Sequence, residues 1–355
     1  MHICIFTHLH INEMKTGILL INLGTPDSPS VPDVRKYLRE FLSDPRVIDI
    51  SAAGRWALVN FIIAPIRSSR SAKLYKKIWS EKGSPLLINS ELQKKLLQEK
   101  LGSDYQVELG MRYQSPSIGN ALEKFTKPTF KKIIVVPLFP QYASASTGSV
   151  HEKIMSIISK WQVIPEIKFI NSFCNDKGFI RAFSEIGKKY HPGDFDHVLF
   201  SFHGLPERQI HKADCFDHCL PRGQAGLKKD DCCSVLGEKN SFCYRAQCFE
   251  TARCMAREMK IAFEDYTVCF QSRLGSTPWI KPYSDKIIEE LAKKGKKKLL
   301  VFAPAFVSDC LETIYEIGVE YDLLFKKNGG EKIQMVESLN DHPLWIEALT
   351  KLCTT

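Results

Sequence analysis

Residues 17–23 read GILLINL, a continuous apolar run closed by Gly24-Thr25-Pro26-Asp27. A run without polar alternation is the pattern of a strand covered on both faces of a parallel sheet. A helical period follows over residues 31–42. The same rhythm returns at residues 132–138 (KIIVVPL), 197–202 (HVLFSF), 266–270 and 298–302 (KLLVF), each trailed by a Gly/Pro/Ser loop and a helical stretch. Strands alternating with helices predict α/β layers built on parallel sheets.

The two halves echo one another, with a strand, a polar loop carrying Gly-Thr-Pro or His-Gly-Leu-Pro, and a helix. This predicts two similar α/β lobes with a cleft between them, over residues 15–175 and 176–339. A C-terminal helix near 340–355 is expected to pack back on the first lobe, and residues 1–14 are expected to be a disordered or mis-assigned extension. In open parallel sheets ligands sit beyond the carboxyl ends of strands, so the loops after Leu23, Leu138, Phe202, Phe270 and Phe302 are where chemistry is expected. One stretch breaks the rhythm. Residues 214–242 are poor in apolar periodicity and rich in Cys, Gly, Lys and Asp, and helical periodicity resumes at Cys243 and continues to about Lys260.

The 355 residues, 44% hydrophobic and 25% charged, exclude a disordered or low-complexity chain and suffice for two cores of about 100–200 residues each. No apolar run approaches the ~20 residues of a spanning helix, so membrane contact is expected to be peripheral. The first residues lack the basic start and small-residue cleavage site of a secretory signal, which predicts a cytoplasmic protein. A net charge of +9 is spread out; its densest run, KKGKKK at 293–298, falls where a solvated turn is expected. No basic stripe with interleaved aromatics points to nucleic acid. Neither G-x-G-x-x-G nor G-x-x-x-x-G-K-[ST] occurs in the required context, so no nucleotide cofactor is expected.

Within this frame a few residues stand where chemistry belongs. His203 follows the strand ending Leu199-Phe200-Ser201-Phe202 and precedes Gly204-Leu205-Pro206, the position of a base or metal ligand at a strand end. A loop histidine bonded to a backbone carbonyl would look the same. Asp309, Glu312 and Glu316 are spaced to share one stripe of a helix, from which they could pass a cation inward or protons outward. Asp309 with Glu312 is equally a helix-capping arrangement. The segment WALVNFIIAPI at 56–66 precedes Arg67, Arg70, Lys73, Lys76 and Lys77, an apolar lip with cations behind it that suits an anionic amphiphile or lipid headgroups. A helix packed by one face and solvated on the other also has this pattern.

Seven of the twelve cysteines lie between Cys215 and Cys254. In a reducing compartment such crowding points to a metal site sooner than to disulfides. An almost apolar-free insertion also needs a cross-link to be ordered.

Five ordered strings make the chain recognisable: LINLGTP at 20–26, PLFPQY at 137–142, SFHGLP at 201–206, QSR at 271–273 with Pro278-Trp279, and SDCLET at 308–313. Together they resemble the ferrochelatases, from about Lys15 to the C-terminus with only the cysteine-rich insertion interrupting. The resemblance implies a chelatase-type pair of Rossmann-like lobes holding a porphyrin in the cleft, and insertion of Fe²⁺ into protoporphyrin IX. His203 matches the family's active-site histidine and Glu312 its acidic partner, with Asp309 and Glu316 as the relay behind. Metallation must remove two pyrrole protons and strip water from Fe²⁺, which calls for a base, oxygen or nitrogen ligands and a clamp on the ring. The division of roles between His203 and Glu312 stays open. By the same resemblance Leu23, Arg112, Tyr113, Trp279 and Phe306 line the porphyrin cavity. Arg67 and Arg70 would meet propionates at its mouth, the lip at 56–66 would touch the inner face of the cytoplasmic membrane, and a homodimer is a further expectation. Leu23 stands where coproporphyrin-using members commonly have Tyr, which favours protoporphyrin IX.

The iron–sulfur arrangement of animal members, with one cysteine near the Pro-Gln-Tyr loop and three in a C-terminal extension, is not matched here. The chain is instead similar to bacterial members that keep four ligands in the internal segment, which implies a [2Fe–2S] cluster, with Zn²⁺ as the alternative. The best four are Cys219, Cys233, Cys243 and Cys248; Cys232 could replace Cys233, Cys215 could replace Cys219, and Cys254 reads as a helix-core thiol. A coproporphyrin or other tetrapyrrole chelatase is the runner-up activity, and a non-catalytic iron–sulfur or zinc binding protein is the reading from another class.

Overall fold

A computed structural model describes residues 14–127, 130–219, 232–273, 275 and 277–355. The expected extension, apart from Met14, and residues 220–231 of the cysteine-rich insertion lie outside the described residues. Two four-stranded parallel sheets form the frame. The first contains β1 (Lys15–Gly24), β2 (Tyr105–Tyr113), β3 (Phe130–Pro137) and β4 (Glu166–Phe169) in the order β2-β1-β3-β4. The second contains β5 (His197–His203), β6 (Tyr266–Gln271), β7 (Lys298–Phe302) and β8 (Lys332–Met335) in the order β6-β5-β7-β8. The two sheets thus repeat one winding, and in each the direction of winding reverses beside the first strand, so that crevices open beyond β1/β3 and β5/β7.

The continuous apolar runs are explained by burial on both faces. Ile18 and Leu20 join Val198, Phe200 and Phe202 in one hydrophobic cluster that runs between the sheets. Leu19 and Ile21 face the opposite way, against Val150 and Ile154, while Leu199 packs outward against Ile288 and Ile317. With a side-chain period of two, each strand feeds two cores. The helices Lys177–Lys188, Tyr244–Met259 and Pro343–Thr354 fill the space between the sheets, and the last of them lies against Lys177–Lys188 and Pro85–Leu101.

The helix Val31–Leu42 has the bounds its periodicity predicts, with the Ser30 side chain capping Asp33 N–H. Three strands, β2, β4 and β8, escaped the pattern, and all three are edge strands. β2 carries Gln106, Glu108 and Arg112 among its apolar residues, and its Glu108 is buried with Lys124 at 2.7 Å. Three helices also depart from α geometry. π-helical runs at Leu58–Ile63, Ser144–Gly148 and Glu312–Tyr321 lead directly into α-helices. Such widened turns concentrate at functional sites, and each of these lies in a segment that carries or adjoins residues expected to bind or react.

Candidate active site

β5 ends on His203, which pairs in register with Gln271 of β6. The chain must then turn sharply: a Cβ on Gly204 would approach the Gln271 carbonyl oxygen to 2.8 Å and the Trp279 ring to 3.2 Å, so only glycine fits. The His203 Nδ1 lies 2.7 Å from the Gly204 carbonyl oxygen. A carbonyl only accepts, so Nδ1 carries a proton, and in the neutral ring the lone pair is on Nε2. The half-buried ring meets the edge of Phe306 at a centroid distance of 6.4 Å.

Opposite, in the helical segment that follows β7, stand Glu312 and Glu316. Glu316 is held by four donors: Ser272 N–H (3.0 Å) and Tyr321 O–H (3.2 Å) on one oxygen, Ser272 Oγ (2.5 Å) and Gln271 Nε2 (3.1 Å) on the other. Burial raises its carboxyl above the ordinary glutamate value and the nearby Glu312 adds to this, while the Ser272 and Gln271 hydrogen bonds and the proximity of His203 oppose it. Glu316 therefore responds to both Glu312 and His203. Glu312 also lies within electrostatic reach of the buried Tyr37 and Tyr75, whose hydroxyls are pushed up chiefly by burial.

Asp309 is placed differently. The expected stripe assumed one α-helix from Asp309, whereas the helical segment begins after Cys310 and widens at once into the π run. Asp309 accepts from Thr313 Oγ1 (2.9 Å), Ser338 N–H (3.2 Å) and Asn340 Nδ2 (2.8 Å), all within its own corner. It braces the turn that presents Glu312.

Leu23 is half-buried at the end of β1, just before Gly24, whose φ of +117° and contact with the Tyr113 carbonyl admit no side chain. Arg112 and Tyr113 are fixed by Asp44, which accepts from Arg112 Nη2 (2.6 Å), Tyr113 O–H (2.9 Å) and Ser149 Oγ (2.5 Å). Arg112 lines a groove of about 810 Å³ with Arg35, Arg39 and Glu40. The buried Tyr37 lies within electrostatic reach of both Tyr113, the neighbour of Arg112, and Glu312. Trp279 is buried beneath Gly204 and bridged to Pro206. Arg67 and Arg70 are exposed on the helix Ala64–Ile78, and Trp56, Phe61, Ile62 and Ile66 are 53–70% exposed just before them.

The thiols separate into two groups. Cys219, Cys232, Cys233 and Cys243 touch one another, with Cys232 and Cys233 Sγ atoms 3.9 Å apart. Hydrogen bonds from Cys219 and Cys233 lower the Cys243 thiol, helped by the Ala246 N–H at the helix start, and those two thiols are raised in turn. Cys248, one turn into the helix, is fully buried against Tyr244; Cys215 is exposed; Cys254 meets Glu250 at 3.4 Å. The structure thus brings Cys232 into the nest beside Cys233 and leaves Cys248 to the helix core. The backbone around the nest is braced: Asp214 accepts from Cys219 and His218 N–H groups, and Asn240 Nδ2 donates to the Cys232 carbonyl (2.9 Å). Among the described residues no group of three or more His, Cys, Asp or Glu side chains is arranged to hold a metal ion.

Sequence reasoning passed over Ser272, Gln271 and Tyr321, which hold Glu316, and Asp44 and Ser149, which hold Arg112. Ser272 and Gln271 lie in one of the recognised strings, but Tyr321 is five residues beyond Glu316, a spacing that points the same way only in a π-helix.

The ferrochelatase family model matches residues 15–355. The chain belongs to the ferrochelatase family. It is 45% identical to the ferrochelatase of Legionella pneumophila (strain Lens) over 339 residues, 96% of this chain and 98% of that one. It is also 45% identical to the ferrochelatase of Coxiella burnetii (strain Dugway 5J108-111) over 342 residues, 96% and 94% of the two chains. The structure of SirB from Bacillus subtilis with Fe³⁺ aligns with a TM-score of 0.50 at 14% identity, covering 95% of this chain and 94% of that chain, a likeness of fold. As a ferrochelatase-family member the chain is a porphyrin-metallating lyase with Fe²⁺ as substrate.

Proposed function

We propose that the chain inserts Fe²⁺ into protoporphyrin IX in the crevice beyond β5 and β7, between lobes spanning 15–175 and 176–339. The observation that carries this reading is that the strand-end His203 and Glu312 both lie within electrostatic reach of the buried Glu316 in a ferrochelatase-family chain. Two protons leave the ring on metallation. His203 takes one or serves as the last metal ligand, and Glu312, backed by Glu316, takes the other role. A carboxyl whose hold on a proton is raised by burial and a charged neighbour can receive a proton and pass it on. Leu23 at the end of β1 supports protoporphyrin IX over a more carboxylated ring. Mixing the protein anaerobically with protoporphyrin IX and Fe²⁺ tests this: the free-base spectrum converts to that of haem, and parallel runs with coproporphyrin III turn over more slowly. Faster turnover of coproporphyrin III would transfer the assignment to that substrate.

The exposed Trp56, Phe61, Ile62 and Ile66, followed by Arg67 and Arg70, support peripheral contact with a membrane from which an apolar porphyrin arrives. No helix among the described residues is long and apolar enough to cross one. Four neighbouring thiols on a braced backbone carry the donor chemistry of a [2Fe–2S] cluster or of Zn²⁺, although among the described residues their arrangement is not that of a metal-binding group. We assign Cys219, Cys232, Cys233 and Cys243 to that group, which when bound would cross-link the insertion to the start of the helix Tyr244–Met259.

A further inference from the structure

The first helical residue after Cys243 is Tyr244. It is 6% exposed, and its hydroxyl donates to the His203 backbone carbonyl at 2.8 Å and also meets the buried Cys248 thiol. The N–H of that same peptide unit, on Gly204, donates to the Gln271 carbonyl at 2.8 Å. Both polar ends of the His203–Gly204 peptide are therefore fixed, one by Tyr244 and the other by β6. The next carbonyl along, that of Gly204, is the acceptor that keeps the proton on His203 Nδ1. If the first peptide turns, the second carbonyl moves and the imidazole loses the partner that sets its tautomer.

We propose that Tyr244 is a positioning residue for His203, and that it makes the thiol nest and the active-site imidazole one mechanical unit. Cys243, in contact with Cys219 and Cys233, caps the helix on which Tyr244 is the first residue. A change in the nest, whether metal loading or loss of one thiol, moves the helix start and with it the hydroxyl that holds His203. The same helix reaches the other sheet, because Gln247 Oε1 accepts from Tyr142 N–H (2.7 Å) and Ser172 Oγ (2.9 Å). It therefore spans from the nest to loops of both sheets. The proposal rests on the reading of His203 as the base or ligand of metallation.

Tyr244→Phe keeps the buried ring and deletes only the hydroxyl. In the full chain labelled with ¹⁵N-histidine, the parent shows His203 in the Nδ1–H tautomer, and the variant shows it redistributed toward Nε2–H while the thermal midpoint changes little. With Fe²⁺ and protoporphyrin IX, kcat falls about 3- to 10-fold, the loss of one well-placed hydrogen bond, and KM is unchanged. Cys243→Ser lowers kcat and disturbs the His203 signal in the parent, and adds little to either in the Tyr244→Phe background. A Tyr244→Phe protein with the parent's tautomer and kcat overturns the positioning role. Equal effects of Cys243→Ser in both backgrounds overturn the link to the nest. Should the parent itself make no haem, the functional reading fails, and the histidine spectra still decide the proposal.

Discussion

Ser272 holds both carboxylate oxygens of Glu316, one through its backbone N–H at 3.0 Å and the other through its hydroxyl at 2.5 Å. Ser272 has a left-handed φ of +65°, a conformation that costs a non-glycine residue energy and turns its N–H toward the helix that carries Glu316. Ser272→Ala deletes a donor that favours the charged carboxylate, so the already raised Glu316 carboxyl rises further. A higher pH is then needed to ionise it, and the acid limb of the kcat profile moves upward. Because the folded chain holds this proton more tightly than the unfolded chain, the group's contribution to stability is full below the unfolded value of about 4.3 and is lost as pH rises through the folded one. The stability gap between variant and parent therefore narrows on acidification. An unshifted acid limb would remove Glu316 from the titrating machinery.

His203→Ala lowers haem formation by at least about 100-fold, the usual contribution of a positioned base. Among the described residues its side chain hydrogen-bonds only to its neighbour's carbonyl, and it is half-buried, so the melting temperature stays within about 2 °C of the parent. Turnover near that of the parent would exclude His203 from the reaction.

The two groups of thiols are separable by substitution. Cys233→Ser and Cys243→Ser remove thiolate-bound metal, seen as loss of visible charge-transfer absorption if iron–sulfur is present or of zinc by elemental analysis, and lower the melting temperature by about 5 °C or more. Cys248→Ser leaves the metal content intact, because that thiol lies against Tyr244. Metal loss in Cys248→Ser with retention in Cys232→Ser would reverse the assignment of these two residues.

At the exposed lip, Trp56→Ser, Phe61→Ser and Ile66→Ser each weaken binding to anionic lipid vesicles by about tenfold, the value of removing one large apolar side chain from an interface. Haem synthesis from porphyrin presented in detergent is unaffected. Co-sedimentation measures the first and absorbance the second. Vesicle binding that survives all three substitutions refutes membrane contact through this face.

Asp44 is 6% exposed and serves Arg112, Tyr113 and Ser149 at once. Asp44→Ala leaves Arg112 Nη2 and two hydroxyls without this acceptor, while Arg112 Nε keeps Ser149, at a cost of about 3 kcal/mol in urea unfolding. Asp44→Asn, which keeps an acceptor oxygen, recovers part of that loss. A loss under about 1 kcal/mol for Asp44→Ala would show that water replaces the carboxylate.

The amino-acid sequence by itself determined the frame of this protein. Apolar runs at β1, β3, β5, β7 and the edge strand β6 could be read because burial on both faces leaves few polar positions, and β2, β4 and β8 could not because polar residues interrupt them. His203 was legible as a strand-end histidine, and Glu312 with Glu316 as an acidic pair, since these depend on local order along the chain. Only the tertiary structure decided the rest. It set Asp309 into a corner with Asn340, placed Tyr321 under Glu316 through a π-helix, drew Cys232 into contact with Cys219, Cys233 and Cys243, and left Cys248 against Tyr244. Each of these turns on a helix start, a widened helical period or a contact between residues distant in sequence. Residue spacing encodes none of them, because it specifies separation along the chain and not the direction in which a side chain points.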